Sequence, residues 1–129
     1  MLLIDDDTTT NVVNKRLLLT HGFAEDVITF DSGPKTLRFL RQQAQSGRLA
    51  SIDLILLDLK MKVKDGYWFL DQYHKKTDIA KARLLVALTS SASFYDLERL
   101  KNYPEVSMHI YKPLTADHLV DLEEKLIAA

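Results

Sequence analysis

The chain contains no cysteine, so it can build neither a disulfide framework nor a thiolate metal site. Charge of one sign is also missing: 17 basic against 18 acidic residues leave a net −1, which excludes a global basic field for nucleic acid. No apolar run approaches the roughly 20 residues a membrane-spanning helix needs. The apolar start Met1–Ile4 is too short for the core of a secretion signal. Glycine and proline are scarce, 4 and 3 residues respectively, and no linker, repeat or low-complexity tract divides the chain. What is present is 47% hydrophobic and 27% charged, enough for a core under a solvated surface. One soluble, cytoplasmic domain over residues 1–129 is expected. A strand beginning at residue 2 fits a piece cut from a longer protein as well as a stand-alone unit.

Apolar runs alternate with amphipathic stretches. Leu2–Ile4 reads as a short buried strand, and Asn11–His21 as a helix with Val13, Leu17 and Leu18 inward and Gly22 as its stop. Val27–Phe30 is a second strand. Ser32-Gly33-Pro34 opens a helix, proline suiting the first turn, and Leu37, Leu40 and Ala44 mark its buried stripe up to Ser46-Gly47. Ile52–Leu57 is apolar on both faces after Asp53, as a central parallel strand should be. Asp65-Gly66 reads as a turn before a helix over Tyr67–Lys76, with Phe69, Leu70 and Tyr73 inward. Leu84–Leu88 is a further strand, Phe94–Asn102 a short helix with Leu97 and Leu100 inward, and Val106–Tyr111 a fifth strand. Ala116–Ile127 closes the chain as a helix with Leu119, Leu122 and Leu126 on one face. Strands and helices in strict alternation predict an α/β protein, a parallel sheet with right-handed crossovers and helices on both faces.

In such sheets ligands bind at the carboxyl ends of the strands. Asp5, Asp6 and Asp7 follow the first strand; Asp58, Leu59 and Lys60 the third; Thr89, Ser90 and Ser91 the fourth; Lys112 and Pro113 the fifth. Asp31 ends the second strand, at an expected sheet edge remote from the rest. Acids, a hydroxyl and a lysine therefore converge on one rim. Clustered carboxylates need a counter-cation, and Mg²⁺ takes oxygen ligands while keeping several waters. A phosphoryl group would complete its shell, with Lys112 and Thr89 as partners for the remaining oxygens. A carboxylate can itself accept the phosphoryl group, giving an acyl phosphate.

The stretches "LLIDDD", "DLILLDLKMKVKDG", "LTSS" and "YKPLT" together resemble the response-regulator receiver domain of two-component signalling, along essentially the whole chain. That resemblance implies a flavodoxin-like (βα)₅ sandwich, doubly wound, with strand order 2-1-3-4-5. It implies a phosphorylation-dependent switch rather than an enzyme, limited to self-phosphorylation and autodephosphorylation. Asp58 matches the phosphoacceptor, Thr89 the hydroxyl that follows the phosphoryl group, and Lys112 the lysine that pairs with it. Mg²⁺ would be held by Asp6, Asp58 and the carbonyl of Lys60, with Asp5 acting mainly through water. Asp7 falls on a variable position and is expected to cap a helix or face solvent. The family's lysine-proline bond is often cis. The implied phosphodonor is a sensor histidine kinase or histidine phosphotransfer domain, docking beside the first helix. The implied output face, for a homodimer or a target protein, is the fourth helix, fifth strand and fifth helix, with Tyr95, Lys101, Tyr111 and His118; direct contact with nucleic acid or membrane is not implied.

Two stretches depart from the family pattern. After the phosphoacceptor the family usually reads Met-Pro-x-Met-Asp-Gly; here Met61-Lys62-Val63-Lys64-Asp65-Gly66 stands, and Lys60 adds a third lysine. These form either a solvated basic loop or a group in which Lys60 leans over the site and opposes Mg²⁺. His109 occupies the position three before the lysine where Tyr or Phe is common, so a ring swing there would respond to pH near neutrality. His21, His74 and His118 are expected at the surface. Asp5-Asp6-Asp7-Thr8-Thr9 also satisfies the Asp-x-Asp-x-Thr motif of haloacid-dehalogenase-like phosphatases, with Asp5 as nucleophile and Asp7 as general acid/base. That scheme leaves Asp58 idle and lacks a later acidic motif. "LILLD" resembles a nucleotide-binding strand, but no Gly-x-x-x-x-Gly-Lys-Ser/Thr loop exists. A pseudo-receiver that binds a partner without phosphorylation is the remaining alternative, supported only by the unusual lysines.

Overall fold

The computed structural model describes residues 1–47, 52–90 and 94–129. Elements alternate as expected: β1 (Leu2–Ile4), α1 (Thr8–Thr20), β2 (Ile28–Phe30), α2 (Gly33–Gln45), β3 (Ile52–Asp58), α3 (Gly66–Lys75), β4 (Ala82–Thr89), α4 (Phe94–Leu100), β5 (Val106–Tyr111) and α5 (Ala116–Ala128). The strands form one parallel sheet in the order β2-β1-β3-β4-β5. This is the doubly wound flavodoxin-like arrangement.

The side-chain period of two sorts each strand between two cores. Leu2, Ile4, Ile55, Leu57, Leu85 and Ala87 pack with Leu37 and Leu40 of α2, Phe69, Leu70 and Tyr73 of α3, and Leu100 of α4. Leu3, Leu54, Leu56, Leu84, Val86, Leu88 and Ile110 pack with Leu18 of α1 and Leu119 and Leu122 of α5. The chain leaves β1 towards β2 and then reverses towards β3, β4 and β5. With one crossover hand, that reversal puts α1 on the opposite face from α2, α3 and α4. It also opens the crevice between the carboxyl ends of β1 and β3.

Two apolar assignments are corrected. Val13 is exposed, and the inward residues of α1 are Asn11, Asn14 and Leu18. The first turns of α1 lie over polar strand ends rather than the core: Asn11 Nδ2 donates to the carbonyls of Asp5 (2.9 Å) and Phe30 (3.2 Å). Buried carbonyls require such partners, so amides displace valine there. Ala44 is exposed too; the buried stripe of α2 is Gly33, Thr36, Leu37 and Leu40. Leu97 and Leu126 are only half-buried, with Leu100 and Leu122 bearing the contact. Helix α1 starts at Thr8, three residues before Asn11, because Asp7 caps it.

Helix α3 is joined by side chains to α4 and to the turn that follows it. The Tyr67 hydroxyl donates to Asp96 Oδ1 at 2.8 Å, Tyr103 donates to Asp71 Oδ1 at 2.7 Å, and the Arg99 guanidinium stands 3.7 Å from the Tyr67 ring centre. Burial, with Asp96 beside it, pushes the Tyr67 hydroxyl well above the ordinary tyrosine value. Tyr67→Phe is expected to cost about 1 kcal/mol in denaturant unfolding, the net worth of one such hydrogen bond.

Candidate functional site

Strand β1 delivers Asp5 and Asp6, β3 delivers Asp58, and the backbone after β5 delivers Lys112. One carboxylate oxygen from each of Asp5, Asp6 and Asp58 lies within 4.8 Å of the others. Asp5 and Asp58 are buried, at 2% and 3% exposure, and Asp6 is half-buried. Lys112 Nζ bridges the two buried acids, 3.1 Å from Asp5 Oδ2 and 2.9 Å from Asp58 Oδ1. The remaining bonds come from main-chain amides: Asp7 N–H to Asp5 Oδ1 (2.9 Å), Lys60 N–H to Asp58 Oδ1 (3.2 Å) and Lys62 N–H to Asp6 Oδ2 (2.9 Å). The Lys112 N–H donates to the Thr89 carbonyl at 2.8 Å, and the Lys112-Pro113 peptide is cis.

Burial pushes the Asp58 carboxyl above the ordinary value, and the Asp5 charge adds to it; the Lys112 ammonium opposes both. Burial pulls the Lys112 ammonium down, but bonds and charges from Asp58 and Asp5 outweigh it and hold it above ordinary lysine. One ammonium thus pairs with two of the three clustered carboxylates, the two that are buried. The donor set is all oxygen, which suits a hard divalent cation and gives a soft one no ligand. The surrounding cleft, about 530 Å³, is also lined by Lys60, Lys62 and Ser90. Thr89 is buried at 2% exposure at the end of β4. Ser91 lies outside the described residues.

Asp7 does not share this role. Its side chain accepts the N–H groups of Thr9 (3.0 Å) and Thr10 (3.3 Å) and caps α1. The Thr10 amide bond, first among its contacts, holds its carboxyl below the ordinary value. Its carboxylate is committed to the start of the helix, which counts against Asp7 as the general acid of a phosphatase scheme. Asp7→Ala is expected to lower the thermal midpoint while leaving the chemistry at Asp58 intact, read by melting and by mass spectrometry. Asp31 pairs with Lys35 at the β2 edge and is not one of the three clustered acids.

Gly66 touches the site through its missing side chain. A β-carbon there would lie 2.7 Å from the Asp58 carbonyl oxygen and 2.7 Å from Leu59 Cα. Gly66→Ala is expected to cost about 1–3 kcal/mol of stability in urea unfolding, as overpacking against rigid backbone does.

The basic loop divides. Lys60 and Lys62 line the cleft, whereas Lys64 stands over the Trp68 ring at 4.4 Å from its centre. His109 is exposed and packs edge-on against Tyr111, with 5.4 Å between ring centres. His118 is more than a surface residue: its Nδ1 accepts the Thr115 N–H at 3.1 Å and closes the start of α5. His74 pairs with Glu105. Sequence reasoning missed Asn11 and the Lys62 amide. An amide on an inward helical position was a readable signal for the first; a backbone donor leaves none.

A match to the family described as "Response regulator receiver domain" covers residues 1–123. The chain belongs to that family. The family's function is a phosphorylation-dependent signalling switch built on an acidic cluster, and this receiver domain carries the fold and, in Asp5, Asp6 and Asp58, the cluster. Receiver domains catalyse their own phosphorylation and dephosphorylation rather than turning over a separate substrate. The receiver domain is 28% identical over 90 residues to Response regulator Rcp1 of Synechocystis sp., a stretch covering 70% of this chain and 61% of that relative. It thus spans less than two thirds of that protein. Among solved structures it resembles a response regulator receiver protein from Dyadobacter fermentans, with 28% identity, TM-score 0.84 and coverage of 98% of this chain and 95% of that one. A two component response regulator from Cytophaga hutchinsonii gives 25% identity, TM-score 0.84 and coverage of 99% and 96%. Among the described residues no helix is long and apolar enough to cross a membrane.

Proposed function

We propose that residues 1–129 act as one receiver unit in which Asp58 accepts a phosphoryl group from the phosphohistidine of a sensor histidine kinase or a histidine phosphotransfer domain. The observation that carries this is the placement of Asp58: buried, at the end of β3, bonded to Lys112 and grouped with two further carboxylates. An Asp58 carboxylate oxygen attacks phosphorus, a P–O bond forms, and the donor's P–N bond breaks with the electron pair leaving on nitrogen. Asp6, Asp58 and the Lys60 carbonyl would hold Mg²⁺ directly and Asp5 through water. Both Asp5 oxygens are already engaged, by the Asp7 amide and Lys112, which supports the indirect role. When bound, Mg²⁺ supplies positive charge to the three acids and to the phosphoryl oxygens.

Lys112 then exchanges its carboxylate contact for a phosphoryl oxygen, and Thr89 takes another. The outward change runs through β5 to the α4–β5–α5 face. Tyr95 (71% exposed) and Tyr111 (44%) leave apolar surface there for a second copy or a target. His109 is the ring on that face that would move with Thr89. Such a protein works in the cytoplasm, where kinases of this class present their phosphohistidine. Incubation with Mg²⁺ and acetyl phosphate is expected to add one labile phosphoryl group by intact mass, and chelation of the metal to prevent it. A protein that stays unmodified with metal present would sink the proposal.

A further inference from the structure

Lys62 stands 56 residues from Asp6 in sequence, yet its main-chain N–H donates to Asp6 Oδ2 at 2.9 Å. The bond ties the β1–α1 and β3–α3 loops across the cleft. It is the second of two alternate amides facing acids, since the Lys60 N–H bonds Asp58 Oδ1 at 3.2 Å. Between them Met61 is buried in the core on the α2 and α3 side. That anchor turns the amides of residues 60 and 62 towards the cleft, while Asp65 fixes the far end of the loop by capping α3 through the Trp68 N–H at 2.9 Å. Asp6 is half-buried, so little packing orients its carboxylate. A donor on one oxygen restrains rotation of the carboxylate within the cluster it belongs to.

We propose that Lys62 is a positioning residue for the metal ligand Asp6, acting through its backbone N–H rather than its ammonium, so that cation binding and the set of the 60–65 loop are coupled. The proposal rests on the metal role of Asp6 given above. It turns on this chain having an N–H at position 62, where the family usually has proline, which donates none. The exposed Lys62 side chain is free to contribute repulsion, and a test must separate that from the amide.

Lys62→Ala and Lys62→Pro both lose the ammonium; only Lys62→Pro loses the donor. By calorimetric Mg²⁺ titration, Lys62→Pro is expected to bind about tenfold more weakly than Lys62→Ala, the usual effect of removing a group that orients a ligand. Equal affinities for the two variants would overturn the positioning role while leaving the metal site standing. Absence of Mg²⁺ binding in the unaltered protein would overturn the metal-dependent function and this inference with it. Should Lys62→Pro not fold, the Lys62 amide decides by NMR. Its proton is expected at low field without metal, to lose that shift in Asp6→Ala, and to move on Mg²⁺ addition with the calorimetric midpoint. An amide indifferent to both would overturn the inference.

Discussion

Asp58→Asn is expected to show no phosphoryl adduct after incubation with Mg²⁺ and acetyl phosphate, while Asp5→Asn shows a strongly reduced one. The carboxamide has the shape of the acid but offers no anionic oxygen to phosphorus, so the loss at position 58 is complete. At position 5 the nucleophile survives. What is lost is one negative charge from the cation-binding cluster and the Asp5 contact of Lys112, 3.1 Å long. Loss of a charged ligand-side group of this kind costs about 10- to 100-fold in metal affinity, so high Mg²⁺ should recover part of the adduct in Asp5→Asn and none in Asp58→Asn. An adduct that survives Asp58→Asn and requires Asp5 would transfer the chemistry to the phosphatase scheme. No adduct on the unaltered chain would leave a pseudo-receiver, with Lys60, Lys62 and Lys64 the first positions to revert. Within that series, Lys60→Asn with unchanged phosphoryl lifetime and Mg²⁺ affinity would show that Lys60 is only a solvated loop residue.

Lys112→Ala is expected to destabilise the metal-free protein by about 2 kcal/mol near neutral pH. Breaking a buried pair costs about 3–5 kcal/mol, and Lys112 is a quarter exposed, so solvent lowers that figure. The deficit should depend on pH with a definite sign. Burial already holds the Asp58 carboxyl above its ordinary value, and without the ammonium only the Lys60 amide opposes that rise. A carboxyl raised in the folded state keeps its stability below the unfolded value, about 4, and loses it as pH climbs through the folded value. Lys112→Ala should therefore approach the unaltered protein at acid pH and fall furthest behind at neutral and alkaline pH. Divalent cation should restore stability at neutral pH, because a ligand of the folded state stabilises it by mass action. Denaturant unfolding at two pH values, with chelator and then with Mg²⁺, reads all three effects. A deficit that ignores pH and metal would mean that Lys112 acts by packing alone.

The sequence by itself determined the alternation of strands and helices, because two-sided apolar runs such as Ile52–Leu57 and Leu84–Leu88 are local signals of buried parallel strands. It also determined which residues end the strands: Asp5, Asp6, Asp58, Thr89 and Lys112 follow from that alternation, and the resemblance to receiver motifs is the source of the roles proposed for them. The caps were legible for the same local reason, with Ser32 before Gly33-Pro34 accepting the Lys35 N–H at 3.3 Å. Only the tertiary structure decided the rest. Val13 faces water and Asn11 faces in because the carbonyls under α1 belong to residues 5 and 30, joined only by folding. Lys62 reaches Asp6 across 56 residues through a main-chain N–H, which residue identity does not encode unless it is proline. Periodicity and local chemistry are written along the chain, but a hydrogen bond between two loops exists only once the sheet has brought their ends together.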